Sequence, residues 1–157
     1  MKTKRLKKTK LTLDTLIAVG SGNEHNHVEL FTLSNSIWQI GKDYPYSTNI
    51  FLYSILAFEK QFIIFGGERK ASTKESTIAR FHPVENIWTY LGKLNVARSG
   101  HGVIQVDNEF IIVGGERDSK EDEPTESCKF SGNSMTCTIR RPYLSNFSRY
   151  PELMLIP

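Results

Sequence analysis

The residues whose types and spacing could do chemistry are charges that recur behind glycine pairs. Glu68 and Arg69 follow Gly66-Gly67, Glu116 and Arg117 follow Gly114-Gly115, and Arg98 lies between them. A guanidinium is a planar fork that meets a carboxylate through two parallel N–H bonds, so arginines along one rim suit an acidic peptide or a protein surface. Ordinary solvated loop charges would look the same, and both readings stand at this level. Cys128 and Cys137 form a Cys-x8-Cys pattern, which lacks the two further ligands of a zinc site. If Gly132-Asn133 turns a hairpin, residues whose numbers sum to 265 face one another, and the two thiols are opposite. A cross-strand disulfide is then feasible if the Cα atoms come within about 7 Å; two free, buried cysteines are the alternative. A bridge implies an oxidising, extracellular setting, whereas free thiols leave a cytoplasmic one.

The remaining chemical candidates are weaker. His25 and His27 are two apart and would share a face of an extended strand, but solvated loop histidines fit as well, and no metal is expected. His82 adds nothing to them, and His101 reads as structural. No nucleophile elbow, Walker loop, zinc-protease motif or dinucleotide fingerprint occurs, so neither a catalytic residue nor a cofactor is expected. Asn146-Phe147-Ser148 is a glycosylation sequon of a kind that occurs by chance.

Charge is unevenly spread over the 157 residues. Lys2, Lys4, Arg5, Lys7, Lys8 and Lys10 carry six positive charges, against a net +3 for the whole chain, so the other residues are mildly acidic. Residues 1–11 read as a basic, solvated, disordered arm, with nucleic acid, anionic membrane and nuclear targeting as the lesser readings. The apolar stretch that completes a signal peptide is replaced by Leu11-Thr12-Leu13-Asp14-Thr15, and no run approaches the roughly 20 apolar residues of a membrane span.

What must position these residues is a repeat. Phe62-Ile63-Ile64-Phe65-Gly66-Gly67-Glu68-Arg69 returns 48 residues later as Phe110-Ile111-Ile112-Val113-Gly114-Gly115-Glu116-Arg117, and Leu16 to Gly22 is a worn first copy. An aromatic is followed seven residues on by a large residue or its stand-in: Phe31 to Trp38, Phe81 to Trp88, Phe130 to Cys137. Short β-branched and aromatic runs that end at glycine read as strands. Each unit is expected to hold four antiparallel strands, a to d, with polar hairpins at Glu59-Lys60-Gln61 and Asp107-Asn108-Glu109. The tryptophan of strand d is expected to supply the flat surface that packs one unit on the next.

The glycine pairs, Glu85-Asn86-Ile87-Trp88 and Ala97-Arg98-Ser99-Gly100-His101 together resemble kelch repeats, over roughly residues 12–156. The resemblance implies an all-β, kelch-type β-propeller segment of about three four-stranded blades, with repeats near 12–42, 47–92 and 97–140 within a domain spanning 12–157. A final strand at 147–156, in register with strand a, could complete the first blade. Gly-Ser-Gly in the first copy and Cys137 in the third depart from the family pattern. In such propellers the b–c and d–a loops gather on one face and meet a partner, so the resemblance implies a non-enzymatic protein-binding scaffold using Glu68, Arg69, Arg98, Glu116 and Arg117. A structural or degenerate fragment of a longer propeller is the alternative, and two chains joined head to tail would make a six-bladed homodimer. A part of an enzyme resembling copper radical oxidases is the catalytic alternative, but the clustered tyrosines, histidines and modified cysteine it needs have no evident counterpart here.

Overall fold

The computed structural model describes residues 15–21, 26–46, 49–118 and 125–140, and no helix occurs among them. The apolar runs form strands because they are short, β-branched or aromatic, and closed by turn residues. Strands β1 (Thr15–Ser21), β2 (Asn26–Thr32) and β3 (Ile37–Gly41) make the first sheet. Strands β4 (Ser54–Phe58), β5 (Gln61–Arg69), β6 (Thr73–His82) and β7 (Ile87–Lys93) make the second. The third comprises β8 (Gly102–Val106), β9 (Glu109–Val113), β10 (Thr125–Ser131) and β11 (Ser134–Arg140). Each sheet is an antiparallel meander in chain order, in the strand sequence b-c-d, a-b-c-d, a-b-c-d. The basic arm, the strand expected at 147–156 and the Asn146 sequon lie outside the described residues.

Local chemistry fixes the registers. Glu59 and Lys60 both take positive φ, 46° and 65°, which is the two-residue turn whose twist matches antiparallel strands; Gln61 already pairs with Phe58. Gly66 and Gly67 sit at a register shift between β5 and β6, with φ of 53° and 119°. A Cβ on Gly66 would lie 2.7 Å from the Arg98 carbonyl oxygen, and one on Gly115 would lie 2.7 Å from the Ser99 oxygen. The glycine pairs are therefore required twice over, by backbone conformation and by the close passage of the chain that leads into the next sheet. That passage repeats: Phe51 bridges Glu68 in the second unit, as Ser99 bridges Glu116 in the third.

The second sheet is covered on both faces. Phe81 packs with Val28 and Leu30 of the first sheet, and Trp88 lies beside them. On the other side, Ile63, Phe65 and Ile78 pack with Phe110, Ile112, Cys128 and Met135 of the third sheet. Fully burying a side chain such as Phe65 or Ile63 contributes roughly 1.5–3 kcal/mol, so these two junctions supply much of the driving force for stacking. One expectation fails: Trp38, expected to pack between units, is 56% exposed, and its neighbour Ile40 is 81% exposed. No described sheet lies over that face of β3.

Candidate functional site

The charges behind the glycine pairs come together where the second and third sheets meet. Glu68 is the last residue but one of strand β5, Lys74 is the second of β6, and the two form a buried ion pair. The Lys74 Nζ also donates to Glu116 Oε2 at 3.3 Å, and Ser99 Oγ donates to Glu68 Oε2 at 3.0 Å. One ammonium thus ties together glutamates of two sheets. Hydrogen bonding from Lys74 holds the Glu68 carboxyl below its ordinary pKa, with Ser99 helping and burial opposing. Burial alone would lower the Lys74 pKa, but its bonds to Glu68 and Glu116 outweigh that and raise it. Arg69 projects outward and pairs with Glu75, and Arg117 is half-buried beside Glu116.

Arg98 corrects the sequence reading. Expected at the solvated rim, its side chain is wholly buried and pairs with the equally buried Glu126 at 2.9 Å. Its Nη1 donates to the Gly114 carbonyl at 3.0 Å, which pins the β7–β8 connection to the glycine pair that follows β9. Glu126 accepts further bonds from the Asn95 and Val96 backbone amides at 2.6 and 3.1 Å. A buried guanidinium needs such a partner, because removing it from water unpaired costs several kcal/mol. Glu68 is likewise no free rim charge, since Lys74 and Ser99 occupy its carboxylate.

His101 sits against the same glycines, 5% exposed, with neither ring nitrogen hydrogen-bonded among the described residues. Burial, reinforced by the Arg98 charge and opposed by the nearby Phe65 backbone, pushes its pKa down to about 3, so the imidazole is neutral. It fills space, as its structural reading required. His27 instead meets Asp43 at 3.2 Å on the first sheet, and His25 lies outside the described residues. No group of three metal-ligating side chains occurs among the described residues.

Cys128 and Cys137 pair directly across β10 and β11, with Cα atoms 4.0 Å apart and their sulfurs bonded. Their register follows from the Gly132-Asn133 turn. Lys74, Ser99 and Glu126 complete the cluster, and the sequence reading assigned none of them a role in it. Nothing in their local sequence marks them, because each finds its partner on another strand.

Neither a protein-family model nor a curated protein matches the chain. Among solved structures, the structure of YjhT matches with a TM-score of 0.62 at 11% identity, over 84% of this chain and 50% of that one. The chain therefore spans half the length of that neighbour. At such identity the likeness carries the fold alone, an all-β arrangement of successive antiparallel sheets.

Proposed function

We propose that the chain is a kelch-type β-propeller segment that serves as a non-enzymatic protein-binding scaffold, receiving an acidic peptide or protein surface on the rim formed by Arg69, Glu116 and Arg117. The observation that carries this reading is the repeated Glu-Arg step behind each glycine pair, which brings the second and third sheets to one shared rim through Lys74. Arg98 and Glu68 hold that rim in place from beneath. An array of Asp- and Glu-rich peptides tests it. Arg69→Ala with Arg117→Ala should weaken capture about tenfold while costing no more than about 1 kcal/mol of stability at each position. Neutralising the six basic residues of the N-terminal arm should leave peptide selectivity intact. Capture that follows the arm rather than the rim removes the proposal.

A second reading concerns assembly. The open face bearing Leu16, Trp38 and Ile40 is the counterpart of the covered face of the second sheet, which supports a working state that places another sheet over it, in a longer propeller or in a six-bladed dimer. Sedimentation across a concentration series separates these: a dimer mass supports two joined chains, and a compact monomer at all concentrations counts against them.

The Cys128–Cys137 bond supports an oxidising, extracellular compartment. No helix among the described residues is long and apolar enough to cross a membrane. A non-reducing mass measurement on natively purified protein checks this reading: the bridged form is two hydrogens lighter than the dithiol.

A further inference from the structure

Arg80 interrupts an apolar face. On β6 it stands opposite Ile63 of β5 and Thr89 of β7, in the row that faces the third sheet. Its counterpart fifty residues earlier is Leu30, and each immediately precedes the phenylalanine that packs on a tryptophan. Leu30 is buried and seals the junction between the first and second sheets. Where Arg80 takes its place, between the second and third sheets, a cavity of about 430 Å³ opens instead, lined by Phe58, Glu59, Arg80, Asn108, Lys129 and Phe130 among others. It lies at the ends of the strands opposite the glycine pairs, away from the rim.

The lining is chemically unbalanced. Phe58 and Phe130 stack with centroids 5.4 Å apart and 26° between planes, which makes an apolar wall. Lys129 is held by Glu109 at 2.7 Å, a carboxylate that also takes Arg140 and whose pKa is pulled down to about 2 by Lys129, Ser127 and Arg140. The Lys129 ammonium thus already has an ion-pair partner, which it shares with Arg140. Arg80, half-buried beside the aromatic rings, has no ion-pair or hydrogen-bond partner among the described residues. A half-buried guanidinium with no protein partner leaves its planar fork open to an anion, and a flat apolar group suits the rings beside it. Glu59, in the turn at the mouth, repels a second negative charge, which favours a monoanion over a phosphate or a dicarboxylate. The volume is at the small end for ligand pockets, enough for a one-ring molecule.

We propose that this cavity binds a small aromatic monocarboxylate, with the carboxylate on the Arg80 fork and the ring against Phe58 and Phe130. The test titrates phenylacetate, and separately the neutral phenylacetamide, into the isotopically labelled full chain while backbone amide shifts are followed. Phenylacetate should give saturable shifts at Glu59, Asn108 and Phe130, and phenylacetamide should bind at least about tenfold more weakly. Arg80→Gln should weaken phenylacetate binding by a similar factor with the amide spectrum otherwise preserved. If that variant unfolds, Glu59→Gln on the exposed turn gives the answer, because removing the mouth's negative charge should tighten binding severalfold. Equal binding of acid and amide, an absence of saturable shifts, or indifference to both substitutions overturns the proposal.

Discussion

The Phe81–Trp88 pair and the Phe31–Trp38 pair are one structural unit in two surroundings. Their ring centroids are 4.9 Å apart in both, with interplanar angles of 44° and 40°. Phe81 is buried beneath Val28 and Leu30, and Trp88 is fixed by an edge-on contact with Tyr44 and a 2.7 Å bond from its Nε1 to the Lys42 carbonyl. Trp38 has no described sheet above it and stands mostly in solvent. The repeat therefore specifies the local pair, and stacking of the next sheet, not the pair itself, decides whether the tryptophan stabilises the fold.

The largest expected effect comes from the junction that relies on charge. Arg98→Ala leaves Glu126 buried without its cation and should cost about 3–5 kcal/mol, read as a fall in the urea midpoint, whereas Arg69→Ala at the exposed rim should cost about 1 kcal/mol or less. Equal losses would break the distinction between the buried and the exposed arginine. Next comes the aromatic pair. Trp88→Ala should cost about 3 kcal/mol in dilute protein, and Trp38→Ala about 0.5 kcal/mol or less. A Trp38 loss as large as that of Trp88 would mean that the outer face of the first sheet is covered after all.

Much of this architecture is readable from residue order alone. The 48-residue return of the diglycine motif gives the strand order, and the Gly132-Asn133 turn gives the cysteine register, because both depend on neighbours in sequence. Arg98 shows where such reading stops. An arginine beside Ser99-Gly100 looks like a loop charge, and only the fold brings Glu126, 28 residues on, to bury it. Trp38 fails in the opposite sense: the repeat marks it as packing surface, but nothing in its own unit supplies the sheet that would cover it. Arg80 was equally silent, since its meaning lies in the comparison with Leu30 across two junctions.

The remaining prediction is a pH slope. His101 is neutral in the fold, with a pKa near 3, while in the unfolded chain it titrates near 6.5. Between those values the unfolded state binds more protons, so this contribution to stability is complete above pH 6.5 and declines as pH falls, by up to ~1.4 kcal/mol per unit. Glu68 and Glu109, whose pKa values are lowered from 4.5, begin to add their losses about one unit above that ordinary value, where the unfolded carboxylates start to bind protons. The window from about pH 6.5 to 5.5 therefore isolates the histidine. Denaturant midpoints across it should slope in the parent and flatten in His101→Gln; parallel slopes would place the titrating group elsewhere.

The most direct measurement uses the two tryptophans of the chain as paired reporters. With 5-fluorotryptophan incorporated, dilute protein should give two fluorine resonances, assigned through Trp38→Phe. Exchange of water for deuterium oxide should shift the Trp38 signal strongly and the Trp88 signal little. Equal solvent shifts for both would contradict a fold in which one repeat is covered by its neighbour and its twin is left open.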